Sequence, residues 1–131
     1  SEAWSLYISN SKNIKIESSD FNGAKAIGVN LNSVSNVHLD DCFIGDVSHR
    51  PWTAGDGMLD KEACVAFCSY WEPNRCSDSS VTNSIATGCV YAGFVAPGHD
   101  CDGPSINEFS HNVAHSNERN GAHIYPDPSS L

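Results

Sequence analysis

Apolar residues in this chain come in pairs one residue apart, and the pairs recur. Leu6/Ile8, Ile14/Ile16, Val29/Leu31 and Val37/Leu39 alternate with polar residues at period two, the pattern of a strand with one covered face. Asn, Ser, Gly or Asp separates each pair from the next, and these residues favour turns. The pairs keep a fixed offset of 23 residues: Leu6 to Val29, Ile8 to Leu31, Asn13 to Asn36, Ile14 to Val37, Ile16 to Leu39. The pattern predicts a strand, a turn, a second strand, a turn, and a return to the start one layer up.

A second pattern extends the first through the whole chain. The stretches Ile16–Gly23, Leu39–Asp46, Val81–Gly88 and Phe109–Ser116 open alike, and in three of them a glycine follows twelve residues after the opening residue: Gly28, Gly93 and Gly121. A register shared at 20 to 30 residues is the mark of a stacked repeat. The expected fold class is therefore all-β, a right-handed parallel β-helix of the pectin-lyase-like kind, with about four to five coils and loop insertions. Residues 16, 39, 81 and 109 are expected to form one inward column, and 21, 44, 86 and 114 another. Ser18, Asp41, Asn83 and His111 form a polar series between them. The glycines are expected where φ is positive or where the backbone approaches a neighbour closely. Spacing widens to 42 residues between Leu39 and Val81 and to 28 between Val81 and Phe109, which places insertions near 48–77 and 98–104. The run Cys64–Cys68 within the first of these is expected to supply a strand.

Composition adjusts the picture in three ways. A chain of 131 residues has room for one domain, taken here as a single segment over 1–131. The formal net charge of −9 argues against a nucleic-acid partner. Six cysteines in so short a chain point to an oxidising, extracellular setting, although no Asn-x-Ser/Thr sequon is present. No apolar run is long enough to span a membrane, so insertion by this segment is not expected. Stapling is the role expected of the cysteines. Cys64, Cys68 and Cys76 fall in one insertion, and Cys89 and Cys101 flank the rung carrying the other. Cys68–Cys76 and Cys89–Cys101 are the preferred pairings among many that the count allows.

The stretches SNVHLDDCFIGD, NSIATGCVYAGFVAPGHDC and HNVAHSNERNGAHIYPD carry a resemblance. The first is similar to the parallel β-helix repeat of many extracellular proteins. The other two, over about residues 81–126, resemble the β-helix regions of fibrocystin-like proteins, large cell-surface and ciliary proteins, and more distantly of cell-surface hyaluronidases. The resemblance implies a fragment of a larger extracellular or ciliary/flagellar surface protein. Its partners would be other segments of the same protein, neighbouring chains or glycans.

Candidate chemistry is scattered. Glu17 and Asp40 are expected to stack on adjacent rungs with Asp41 beside them, an arrangement that suits Ca²⁺ or an acid and base pair acting on a polysaccharide. A solvated acidic face explains the same residues, and no basic residue is expected among the repeated positions there. His111 and His115 have the spacing of a zinc-binding helix, but the repeat puts them on a strand and its turn. His99, Asp100, Asp102 and His123 offer a second metal grouping through the 98–104 loop. Trp52, Tyr70, Trp71 and His99 are candidate ligand-binding loop residues, with packing of the insertion as the plain alternative. No cofactor other than Ca²⁺ is implied. Two function classes follow: a non-catalytic structural or adhesive segment, and a hyaluronidase- or pectinase-like depolymerase or its remnant.

Overall fold

The computed structural model describes residues 4–49, 62–68, 76–97 and 107–125. The strands are β1 (Trp4–Ser9), β2 (Lys12–Glu17), β3 (Asp20–Asn22), β4 (Ile27–Asn32), β5 (Ser35–Asp40), β6 (Phe43–Gly45), β7 (Ala63–Phe67), β8 (Ser80–Thr82), β9 (Ile85–Thr87), β10 (Ala92–Pro97), β11 (Glu108–Ser110), β12 (Val113–His115) and β13 (Asn120–Tyr125). Among the described residues there is no helix.

The expected fold class is corrected here. The strands do not form a single right-handed β-helix solenoid. They sort into three parallel sheets, a first of five strands (β1-β4-β7-β10-β13) and two of four (β11-β8-β5-β2 and β12-β9-β6-β3). The chain visits the sheets in rotation, so each repeat holds three strands rather than the two expected. The reason lies in strand length. Strands of the third sheet are three residues long and carry one inward residue each, Phe21, Ile44, Ala86 and Ala114, too few to display alternation.

The register is parallel throughout. Ile16 pairs with Leu39, Leu39 with Val81, and Val81 with Phe109. The first sheet adds the column Leu6–Val29–Val65–Phe94–Ala122, with Ile8–Leu31–Phe67 and Ala96–Ile124 in register beside it. In the middle repeats Val29, Leu39, Ile44, Val65 and Val81 are wholly buried. Each such side chain contributes about 1.5–3 kcal/mol by leaving water. Both faces of the first sheet are covered, since Ala63, Ala66, Ala92 and Val95 on its other face are also buried. Burial on both faces makes the β7 run continuously apolar instead of alternating.

The polar series turns out to be a corner. Ser18, Asp41, Asn83 and His111 all adopt φ of 50 to 55°. Gly23, Asp46, Gly88 and Ser116 make the next corner in the same left-handed region. Asn, Asp and Gly bear that conformation at least cost. Gly28, Gly93 and Gly121, by contrast, are not among the positive-φ residues. Close approach is what Gly28 and Gly93 require. A Cβ on Gly28 would lie 2.6 Å from the Cys64 carbonyl oxygen and 2.6 Å from Ile44 Cγ2, and one on Gly93 would lie 2.7 Å from the Gly121 carbonyl oxygen.

Asparagine amides tie the last two repeats together. Asn107, Asn112 and Asn117 each accept, through Oδ1 at 3.0 Å, the N–H of Ser79, Ser84 and Cys89 in turn. Their Nδ2 groups donate to the carbonyls of Cys76, Val81 and Ala86 at 2.9, 2.9 and 3.1 Å. One repeat earlier the Ser79 and Ser84 hydroxyls accept from the N–H of Val37 and Cys42. Backbone groups at the corners, which the sheet ladders leave over, are thereby satisfied.

Among the described residues there are two disulfides, Cys64–Cys89 with Cα atoms 5.5 Å apart and Cys68–Cys76 with Cα atoms 6.0 Å apart. The expected Cys89–Cys101 pairing is corrected: Cys89 sits one column from β9, beside Cys64 of β7, and Cys101 lies outside the described residues. Cys42 is a buried free thiol. Of the insertion expected near 48–77, residues 62–68 contain β7, and 50–61 and 69–75 fall outside the described residues. So does 98–104.

Candidate functional site

Residues just ahead of β7, β10 and β13 share one corner of the stack. Glu62, Tyr91 and Arg119 precede Ala63, Ala92 and Asn120, which are paired with one another. Glu118 joins them, its N–H donating to the Cys89 carbonyl. His49, at the end of the preceding repeat, reaches into this corner. Its Nδ1 lies 2.5 Å from Glu62 Oε2 and its Nε2 lies 3.0 Å from Glu118 Oε2.

Both ring nitrogens face carboxylate oxygens, so both must carry hydrogen to bond, and the ring is held as imidazolium. The hydrogen bond to Glu62 is the chief cause that raises the His49 pKa, and the charges of Glu62 and Glu118 add to it against partial desolvation. Glu62 is only 1% exposed, whereas the His49 side chain is 48% exposed. A buried carboxylate without a cation would be costly, so His49 compensates it. With both nitrogens engaged, the imidazolium serves as a clasp joining three repeats. On the far side of the corner Tyr91 Oη lies 2.7 Å from His123 Nδ1, and the Arg119 guanidinium stands 5.8 Å from the Tyr91 ring centroid.

The residues singled out in sequence fall elsewhere. Glu17 and Asp40 are paired in register on the second sheet. Their carboxylates have other partners: Glu17 lies 3.1 Å from Lys15 Nζ, and Asp40 Oδ1 accepts from Thr82 and Asn83 at 2.8 Å each. Those hydrogen bonds, from Asn83 first and Thr82 next, hold the Asp40 carboxyl below its ordinary range. Asp41 accepts from Ser18 at 2.9 Å across the corner. Lys15 corrects the expectation that no basic residue stands among these acids. His111 occupies a corner, His115 ends β12, and the two do not converge. Among the described residues no group of three or more His, Cys, Asp or Glu is arranged to hold a metal ion. Trp52, Tyr70, Trp71, His99, Asp100 and Asp102 lie outside the described residues.

Sequence reasoning passed over His49, Glu62 and Glu118. Their one signal is position: His49 and Glu62 stand on either side of 50–61, where a repeat resumes. The asparagines at 107, 112 and 117 had a plainer signal, their even spacing of five. No family model, curated protein or solved structure matches this chain.

Proposed function

We propose that this chain is a non-catalytic structural or adhesive segment of a large extracellular protein, fibrocystin-like in kind, on a cell or ciliary surface. The observation that supports the reading is where the polar side chains go. At three successive corners an asparagine amide bonds both a backbone N–H and a backbone C=O of the preceding repeat. Other polar groups are likewise engaged across repeats, Asp40 with Thr82 and Asn83, Asp41 with Ser18, and His49 with Glu62 and Glu118. Groups spent on joining repeats confer rigidity and order, the properties of a spacer. Two disulfides fit an extracellular or secreted location.

The test is depolymerisation of hyaluronan and of pectic polymers by the purified protein, with and without Ca²⁺. No chain shortening is the expected result. Shortening that disappears on Asp40→Asn with Asp41→Asn, in a protein of unchanged circular dichroism, would replace this reading with a carbohydrate-active enzyme.

A further inference from the structure

Residues of β5 and β8 alternate with the buried Val37, Leu39 and Val81, which puts Asn36, His38 and Ser80 on the outer face of the second sheet. There they form a chain of hydrogen bonds whose directions are fixed. Asn36 Nδ2 donates to Asn13 Oδ1 at 2.9 Å, so the Asn36 amide turns its Oδ1 to His38, 2.8 Å from Nε2. An acceptor at that place requires hydrogen on Nε2. In the neutral ring Nδ1 then carries the lone pair, and the Ser80 hydroxyl, 2.7 Å away, donates to it. His38 and Ser80 are paired residues of adjacent strands, so the ladder itself sets the contact. Asn36 takes φ of 53°, a conformation that asparagine bears at low cost.

A hydroxyl bonded to a ring nitrogen, in a ring that a third group orients, is the wiring of an activated nucleophile. We propose that Ser80 is a site of covalent acylation by small activated esters, with His38 as its base and Asn36 as the positioning residue. The proposal goes beyond the structural reading and sits beside it, since a single acylation is an attachment rather than turnover. Ser80 Oγ attacks the carbonyl carbon while its proton passes to His38 Nδ1. The new O–C bond replaces the bond to the leaving alcohol, which departs with that proton, and His38 returns to its neutral form. The products are an ester on Ser80 and a free alcohol. β8 is hydrogen-bonded on both sides, to β5 and β11, so it offers no free pair of N–H groups for an oxyanion. The reaction therefore needs an activated ester, and the ordinary ester it leaves on Ser80 persists.

Two further serine–histidine contacts among the described residues lack this wiring. Ser110 Oγ lies 3.2 Å from His111 Nδ1 but donates to Glu108 Oε1 at 2.6 Å. Ser116 Oγ lies 3.1 Å from His115 Nδ1, which Thr87 shares at 3.3 Å. In neither does a third group among the described residues hold the other ring nitrogen. Size is restricted as well. Ser80 is 8% exposed, with His38 on one side in its column and Glu108 on the other, so the electrophile it takes is a small one.

Reaction of the intact protein with a small alkyl fluorophosphonate tests this, with fluoride in the place of the leaving alcohol and the adduct located by peptide mass spectrometry. The readout is independent of any action on polysaccharide. The adduct should form on Ser80 in preference to Ser110 and Ser116, and Ser80→Ala should abolish it. His38→Ala should slow its formation by about a hundredfold or more, the usual worth of a positioned base. Asn36→Gly removes the acceptor while keeping the left-handed backbone, and it should slow labelling too. Asn36→Asp returns an acceptor and should restore the rate, a rescue that a purely structural role for Asn36 does not produce. Should His38→Ala fail to fold by circular dichroism, the two variants at exposed Asn36 still decide. An unlabelled Ser80, labelling spread alike over the serines, or a rate unchanged by His38→Ala or by Asn36→Gly would each overturn the proposal.

Discussion

The residues on either side of 50–61 and those on either side of 69–75 are joined by different chemistry. His49 and Glu62, flanking the first, form an ion pair that Glu118 extends to a third repeat. Cys68 and Cys76, flanking the second, form a covalent bond. The difference follows from what surrounds each pair. Cys68 and Cys76 are both buried in the main core cluster, where a charge would be stranded. His49 is half exposed, so water shares the cost of its charge, and only its glutamate partner is shut away. One junction therefore answers to reductant and the other to pH. A third link, Cys64–Cys89, crosses from β7 to the corner after β9 and sets the scale for both.

The largest effect should come from that third link. Replacing Cys64 and Cys89 by alanine releases a constraint across 25 residues. On the loop-entropy account this costs about 3–4 kcal/mol, and urea unfolding monitored by circular dichroism measures it. Replacing Cys68 and Cys76 by serine, across 8 residues, should cost less, about 2–3 kcal/mol on the same account. An effect of the shorter link equal to or above the longer one would show that burial, rather than chain entropy, governs these bonds.

His49→Ala comes next, with an expected cost of about 1–3 kcal/mol. That lies between the loss of a fully buried pair and the loss of an exposed one. The distinguishing measurement is a cycle with reductant. Dithiothreitol should lower the urea midpoint of His49→Ala by as much as it lowers that of wild type. Non-additivity would mean that the two junctions support each other through β7.

Much of this architecture was legible in the chain, and the illegible parts have physical reasons. The 23-residue offset located the partners of Leu6, Ile14 and Ile16 because each strand there is long enough to alternate. The third sheet's column of Phe21, Ile44, Ala86 and Ala114 was legible too, but not its standing as a separate strand, because a three-residue strand has no period to read. Glycine at 28 and 93 announced a special backbone position, but a sequence does not distinguish positive φ from crowding, and here crowding by Cys64, Ile44 and Gly121 is the cause. Cys68–Cys76 was favoured by proximity along the chain. Cys64–Cys89 was missed because their nearness arises from stacking β7 between β4 and β10. The clasp was hidden for a similar reason: His49 and Glu118 are 69 residues apart along the chain and come together only where the repeats stack.

The pH response separates the two junctions further. Glu62 raises the His49 pKa above its ordinary value in the folded chain, so the folded state holds the proton more tightly than the unfolded one. The clasp's contribution is complete below about 6.5, the unfolded value, and is lost as pH rises through the raised value. The urea midpoint of wild type relative to His49→Gln should therefore shrink between pH 6 and pH 9. The Cys68→Ser, Cys76→Ser variant should keep that difference, since a disulfide carries no proton in this range. Every other residue is common to both proteins, so the subtraction isolates position 49.

The smallest effect should be that of Glu118→Gln. Glu118 is 46% exposed and lies 3.0 Å from His49 Nε2, an ion pair mostly in water. Such pairs contribute about 0–1 kcal/mol, so the urea midpoint should scarcely move. The His49 titration followed by NMR is the sharper readout. Removing the Glu118 charge should lower the raised pKa slightly, because the Glu62 hydrogen bond is the leading cause and remains. Glu62→Gln should lower it much further. If Glu118→Gln proved the more disruptive of the two, the junction would be anchored at its exposed end. The buried carboxylate would then be held by other neighbours rather than by His49.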